Sequence, residues 1–305
     1  MKLQNNTVSR LGRKHLRKNN PIKSIGVIVK NYNQYTNLSL TDGIKEIAKQ
    51  NNYKVIISSS FDDHENEKNL LQMFTSQMVQ GIIIDPVVDN KYEIEHLYEL
   101  KTLNCPFVLL DEIEGIKTNY VKVDHRSAAK KIVKYLLDSG HKNIIHFTEP
   151  FPVSRSLDWI VGFKDAFSES SVVFNEKMIV KIDSRYPSVF NKTLDYFRSL
   201  NRKNYPSAIV CFNDFHALAI MSALKELKLR VPEDISIVGN DEIFYSRGNF
   251  VPLAIVKVPM YEIGVAAAKL LIKNIESSEV LVDEQIEFDT ELVLNDSSKY
   301  FVDQD

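Results

Sequence analysis

Amide, carboxylate and aromatic residues recur directly after short apolar runs in this chain of 305 residues. In chain order they are Lys30 to Tyr35, Ser59 and Ser60, Asp85, Asp111 and Glu112, Phe212 to Phe215, and Asn240 to Glu242. Side-chain oxygens and amides hydrogen-bond hydroxyl groups, and aromatic rings cover the apolar face of a sugar ring. The pattern therefore favours a polyhydroxylated, sugar-like ligand.

Each of these residues also has a simpler structural explanation. Asp214 precedes the helical run FHALAIMSALKEL and could be its N-cap, and Asn240 with Asp241 could form a turn. Ligands of open α/β sheets bind outside the carboxyl ends of the strands. The recurrence of polar residues at several such ends is what favours a ligand site.

Motifs for other chemistries are absent. The chain has ten glycines and contains no phosphate-binding loop, no dinucleotide fingerprint, no nucleophile elbow and no HExxH zinc motif. Its seven histidines are scattered singly, and we interpret His141, His146 and His216 as solvent-exposed or helix-capping residues. We expect no metal and no cofactor.

Composition and length limit the protein class. At about 150 residues per domain, the length suggests two lobes. Hydrophobic residues at 44% and charged residues at 26% are typical of a folded globular protein. Cys105 and Cys211 lie among apolar residues and are interpreted as core residues, which indicates a reducing, cytoplasmic setting. Neither an export signal nor a membrane-spanning run is recognisable, so we expect no membrane partner.

Short β-branched runs alternate with amphipathic segments from Ile22 onward, a pattern typical of parallel strands with helices on both faces. Strands are predicted at 24–29, 54–58, 81–85, 107–111, 120–124, 143–147, 178–182, 208–212 and 235–239. The alternating tail at 280–294 predicts extended edge strands.

Four longer segments carry a resemblance to a known family. They are IKSIGVIVKN, VKVDHRSAAKKIVKYLLDSGHKNIIHF, PSAIVCFNDFHALAIMSALKELKLRVPEDISIVGNDE and PLAIVKVPMYEIGVAAAKLLI. In this order they resemble the regulatory domain of LacI-family transcription regulators, over Ile22 to Ile272. The resemblance implies a periplasmic-binding-protein-like α/β fold of two Rossmann-like parallel-sheet subdomains joined by three crossovers. It also implies a ligand in the cleft between them and a homodimer.

The resemblance also implies domain limits. We expect a basic linker or hinge remnant at 1–21, an N-terminal subdomain at 22–124 plus 256–284, and a C-terminal subdomain at 125–255 plus 285–305. LacI-type regulators bind operator DNA with a helix-turn-helix headpiece. We expect that headpiece to be absent from this chain, and it could be LacI-like or a winged helix of the GntR class.

Ligand contacts are implied at five positions that match the family's motifs. They are Asn31, Tyr35, Ser59, Asp214 and Asp241.

Three further residues complete the predicted site: Phe212, Arg155 and Trp159. Many relatives place an arginine three residues before a Gly-Phe pair, whereas Trp159 occupies that position here and Arg155 lies nearby. Because an indole ring lacks the two parallel donors of a guanidinium, the ligand is expected to be stacked rather than clamped.

The sequence therefore predicts the ligand-sensing domain of a bacterial transcription regulator, a repressor whose operator binding responds to a sugar-like effector. A solute-binding protein of a transport system would have the same architecture. An enzyme using Asp111, Asp214 and Asp241 is the other alternative, but no paired histidine, nucleophile or metal set accompanies them.

Overall fold

The computed structural model describes residues 23–30, 35–76, 79–87, 94–148, 154–182, 186–240, 251–277 and 283–300. Within these ranges, some side chains lie outside the description: those of Tyr35, Thr36, Ser154, Arg155, Tyr186, Asp214 and Phe215. The predicted basic linker at 1–21 also lies outside the described residues.

The chain divides into two compact units. Unit 1 contains Met1–Lys122 and Met260–Ile286, and unit 2 contains Val123–Pro259 and Glu287–Asp305. The chain therefore passes from one unit to the other three times.

Unit 1 is built on a six-stranded sheet in the order β11-β5-β4-β3-β1-β2. Its strands are β1 (Ser24–Val29), β2 (Lys54–Ser59), β3 (Ile82–Ile84), β4 (Phe107–Leu109), β5 (Asn119–Val123) and β11 (Gln285–Phe288). Its helices are α1 (Tyr35–Gln50), α2 (His64–Ser76), α3 (Glu95–Thr102) and α8 (Met260–Glu276). Strands β1 to β5 form parallel pairs.

Unit 2 is built on a second six-stranded sheet, in the order β12-β10-β9-β8-β6-β7. Its strands are β6 (Ile144–Thr148), β7 (Ile179–Lys181), β8 (Ala208–Cys211), β9 (Ser236–Asn240), β10 (Ala254–Lys257) and β12 (Glu291–Val293). Its helices are α4 (His125–Asp138), α5 (Ser154–Ser168), α6 (Tyr186–Arg198) and α7 (Asp214–Glu226). Only the β10 and β12 pair is antiparallel among the pairings described for this sheet.

The predicted α/β class is confirmed, and every predicted strand is present within two residues of its expected ends. The alternating tail supplies β11 and β12, each at the edge of its sheet. Strand β10 was not predicted, because a strand of four residues, AIVK, gives too short a pattern to distinguish from a loop.

Helices cover both faces of the unit 2 sheet. On one face Ile144, Val210 and Val238 pack with residues of α4 and α5. On the other face Ile145 and Ile209 pack with residues of α6 and α7. Because strands buried on both faces need apolar residues at successive positions, these strands are continuous apolar runs in the sequence.

In unit 1, two glycines allow α1 and α8 to approach closely. A Cβ atom at Gly43 would lie 2.2 Å from the carbonyl oxygen of Tyr261, and one at Gly264 would lie 2.1 Å from that of Leu40. These distances leave no room for a side chain, so the close packing of the two helices requires glycine at both positions.

Both cysteines are buried and free, which confirms their assignment as core residues. In the part of the chain that the structure describes, no helix has the length and apolar character needed to cross a membrane.

Candidate functional site

Three neighbouring strands of unit 2 end in a row of buried side chains. In the register of the sheet, His146 of β6 pairs with Val210 of β8, which pairs with Val238 of β9. Two residues further along each parallel strand, the same register places Thr148, Phe212 and Asn240 side by side. This strand-end row lies at the carboxyl edge of the sheet, where open α/β sheets bind their ligands.

The strand-end row lies on the face that α5 covers. Alternate residues of a strand point to the same face, so Thr148 and Phe212 share the face of His146 and Val210. Phe212 and Val210 belong to one buried cluster with Trp159 of α5. Ser156 precedes Trp159 by three residues and therefore lies on the same side of the helix.

The polar atoms of this region are buried and have no hydrogen-bond partner among the described residues. They are Thr148 Oγ1, Ser156 Oγ, Trp159 Nε1, and Oδ1 and Nδ2 of Asn240. All four side chains are 0% exposed. A buried polar atom without a partner costs about 1–3 kcal/mol. A group of such atoms at the ends of adjacent strands therefore indicates a binding site rather than a packing defect.

His146 lies one position deeper in the same sheet face. Its Nδ1 atom donates to the carbonyl oxygen of Val210 at 3.0 Å, which leaves Nε2 as a buried acceptor without a partner among the described residues. Its ring is stacked on Trp159, with centroids 5.7 Å apart, and on Phe163 at 5.8 Å. Burial, with a smaller contribution from nearby His216, lowers the pKa of His146 to about 4. The imidazole is therefore neutral near pH 7.

His216 lies in the first turn of α7, beside Phe212, with ring centroids 5.9 Å apart. The helix is capped by Asn213, whose Oδ1 accepts from the backbone N–H of His216 at 2.9 Å. Both ring nitrogens of His216 are buried without a partner in the described part of the chain. Burial lowers the pKa of His216 to about 4; the carbonyl of Phe147 opposes this shift, although it makes no hydrogen bond of good geometry.

Two interpretations made from the sequence, the N-cap of α7 and the exposure of three histidines, are wrong. Asp214 is not the N-cap of α7; Asn213 is, and Asp214 is the first residue of the helix. The histidines at 141, 146 and 216 are not solvent-exposed, because their side chains are 1%, 0% and 0% exposed. His146 lies in a central strand that helices cover on both faces, and nothing at that position reaches solvent.

Besides Thr148 and Ser156, the sequence did not single out His146 and His216 as site residues. The available signal was their position inside apolar runs, NIIHF and FHALAIM, in which a polar residue is surrounded by core residues. His141 lies at the opposite, amino end of β6, where Nδ1 contacts Ser207 Oγ at 2.9 Å and Nε2 donates to the carbonyl of Lys299 at 3.1 Å.

The structure brings together Trp159 and Phe212, which pack in one cluster beside the strand-end row. Asn31 and Asp241 lie outside the described residues. The backbones of three other predicted contacts are described, but their side chains are not: Tyr35 begins α1, Arg155 is the second residue of α5, and Asp214 begins α7.

Ser59 ends β2 at the carboxyl edge of the unit 1 sheet. Its hydroxyl donates to the carbonyl of Lys30 at 2.8 Å and accepts from the N–H of Phe61 at 3.1 Å. Lys30 Nζ lies 3.5 Å from Asp85 Oδ1, so the ends of β1 and β3 carry opposite charges. The Ser59 hydroxyl thus stabilises the local backbone, and its contact with a ligand stays a prediction.

Comparison with known proteins gives consistent matches. A family model described as periplasmic binding protein-like domain matches residues 133–298. Catabolite control protein A of Priestia megaterium is 32% identical over 275 residues, covering 87% of this chain and 80% of that protein. The arabinose metabolism transcriptional repressor of Halalkalibacterium halodurans is 29% identical over 259 residues, covering 83% and 68%.

Solved structures show the same fold. The transcription regulator CcpA of Lactococcus lactis superposes with a TM-score of 0.79 at 24% identity, covering 91% of this chain and 100% of that one. The family model spans over half of this chain, and the relative at 32% identity covers most of it. The chain therefore belongs to the periplasmic binding protein-like family, and it is an effector-binding domain of a LacI-type regulator.

Proposed function

We propose that this domain binds a small, sugar-like effector at the carboxyl edge of the unit 2 sheet and thereby modulates the binding of a repressor to operator DNA. One observation carries the proposal. It is the strand-end row of Thr148, Phe212 and Asn240, in which Thr148 Oγ1 and the two side-chain amide atoms of Asn240 have no partner among the described residues. Hydroxyl groups of a sugar would satisfy these atoms, and Phe212 would pack against its apolar face.

Relatives support this proposal over transport, because curated proteins that match most of the chain are named as repressors or as a catabolite control protein. Two structures of the same fold are described with sugars: a regulator from Enterococcus faecium with bound ribose, and a CelR-cellobiose complex. A sugar or sugar derivative is therefore the first ligand class to test.

The mechanism that we propose is a shift of population between two conformations. An effector that binds one conformation more tightly stabilises it, and operator affinity changes by the same coupling free energy. That coupling is typically about 1–3 kcal/mol, or about 5- to 150-fold in affinity. DNA contact would be made by a headpiece attached to this domain, and we expect the domain to act as a homodimer.

A thermal-shift screen tests effector binding directly. Monosaccharides, disaccharides, sugar phosphates and nucleosides would be added to the purified chain, and a ligand that binds the folded state raises the melting temperature. Asp241→Ala is expected to abolish the shift produced by the active compound. Asp42→Ala, which changes an exposed residue of α1 in unit 1, is the matched control and should retain the shift.

Three results would contradict the proposal at different points. An unchanged shift in Asp241→Ala would remove Asp241 from the site. A screen without any active compound would contradict a sugar-like effector. In a chain joined to its headpiece, an active compound that left operator affinity unchanged in fluorescence anisotropy would contradict the coupling to DNA.

A further inference from the structure

Two unlike hydrogen-bonding atoms belong to the stacked ring pair of His146 and Trp159. Nδ1 of His146 donates to the Val210 carbonyl, so its Nε2 can only accept. Nε1 of Trp159 carries a hydrogen and can only donate. Both atoms are fully buried and have no partner among the described residues. The ring pair therefore lacks a hydrogen-bond donor for Nε2 of His146 and a hydrogen-bond acceptor for Nε1 of Trp159.

A hydroxyl is the common ligand group that provides both a donor and an acceptor. Its oxygen accepts from Trp159 while its O–H donates to His146. A phosphate or carboxylate oxygen that is ionised near pH 7 has lone pairs but no hydrogen to donate. At this position it would repel the lone pair of His146 Nε2. Protonation of His146 would relieve that repulsion, but a buried imidazole resists the charge.

The surrounding polar atoms have the same neutral character. Thr148, Ser156, His216 and Asn240 each have side-chain groups able to donate and to accept, and each has buried atoms without a partner in the described ranges. None of them carries a fixed charge. A formal charge placed among them would lose its hydration without gaining an opposite charge from this group.

We infer that His146 and Trp159 form a subsite that binds an uncharged hydroxyl group of the effector and excludes an anionic group from that end. The inference rests on the proposed function and narrows it. The part of the effector that binds unit 2 is an uncharged polyol or sugar. It is not the phosphate of a sugar phosphate or the carboxylate of a sugar acid.

Trp159 provides a direct readout, because it is the single tryptophan of the chain. Its indole N–H gives one cross-peak in a ¹H–¹⁵N correlation spectrum. The probes are matched pairs: glucose with glucose 6-phosphate, ribose with ribose 5-phosphate, and fructose with fructose 6-phosphate. We expect the neutral member of the active pair to move the indole peak and to bind at least about tenfold more tightly than its phosphate.

Two substitutions at position 146 distinguish the effect of losing the hydrogen-bond acceptor from the effect of losing the aromatic ring. His146→Phe keeps an aromatic ring but removes the acceptor, and it should weaken binding of the active sugar by about 10- to 100-fold. His146→Gln retains a side-chain acceptor and should recover part of that loss. His141→Gln changes a buried histidine at the opposite end of the same strand and should leave the dissociation constant unchanged.

The possible outcomes distinguish this inference from the proposed function. A sugar that raises the melting temperature but leaves the indole peak in place would overturn the subsite while the sensing function stands. A phosphate that binds as tightly as its neutral partner and moves the peak equally would also overturn it. If no compound of the wider thermal-shift screen binds, both the sensing function and the subsite are contradicted. The indole measurement needs only the unaltered chain, so it decides the matter even where a variant does not fold.

Discussion

Unit 2 is expected to lose stability in mild acid because of its two buried histidines. An unfolded histidine has a pKa near 6.5, whereas burial lowers the pKa of His146 and His216 to about 4. Between these values the unfolded state binds protons that the folded state cannot bind. The stabilisation is thus fully present above pH 6.5 and is lost as the pH falls toward 4.

The magnitude follows from the two pKa values. For each of the two histidines, lowering the pH from about 7 to about 5 removes about 2 kcal/mol of unfolding free energy. His146→Phe removes one of these contributions and keeps the stacking on Trp159. Over the same pH interval, the unfolding free energy of the variant should therefore fall by about 2 kcal/mol less than that of the original chain.

Urea unfolding at the two pH values, followed by the fluorescence of Trp159, measures this difference. Since Trp159 is buried in unit 2, its signal reports the unfolding of that unit. Carboxylates elsewhere titrate equally in both proteins and cancel in the comparison. A difference between variant and original chain that stays the same at both pH values would refute the reasoning.

Three substitutions test other parts of the structure by urea unfolding. Gly264→Ala places a methyl group against the Leu40 carbonyl and should destabilise unit 1 by about 2 kcal/mol or more. An unchanged midpoint of urea unfolding would show that α1 and α8 can move apart without loss of stability. Ser297→Ala removes a buried hydroxyl that donates to a strand carbonyl at 2.6 Å and accepts from a strand N–H at 2.7 Å. A loss of about 1–3 kcal/mol is expected in unit 2, and a loss near zero would mean that the hydroxyl is dispensable. Glu67→Ala removes the buried carboxylate 2.7 Å from His96 Nε2 and should cost about 3 kcal/mol, whereas a neutral result would contradict a stabilising pair.

The strands could be predicted because their environment dictates their composition. Strand β1 is buried at all six positions, and such a strand must be a run of apolar residues. Strand β10 has the same environment at its first three positions but is too short for a pattern to emerge. Tertiary pairing with β9 and β12 forms it, and this pairing is not encoded in the four residues themselves.

The site could be predicted only in part. The polar residues at strand ends led to Phe212 and Asn240, because strand order fixes where carboxyl ends lie. The pairing of His146 with Trp159 depends on which face of β6 meets α5, and a strand buried on both faces has no alternation that reveals this. The buried state of His216 depends on the packing of α7, which a single histidine after a cap does not disclose.

Helix α8 and strand β11 belong to unit 1, although the whole of unit 2 up to Pro259 precedes them in the chain. During synthesis on the ribosome, unit 1 cannot be completed until its last segment has emerged. Until then, the faces that α8 covers, including Gly43 of α1 and Gly81 before β3, have no partner. Nascent chains of this protein therefore expose apolar surface for a long interval, and we expect them to depend on chaperones more than a chain whose units are contiguous.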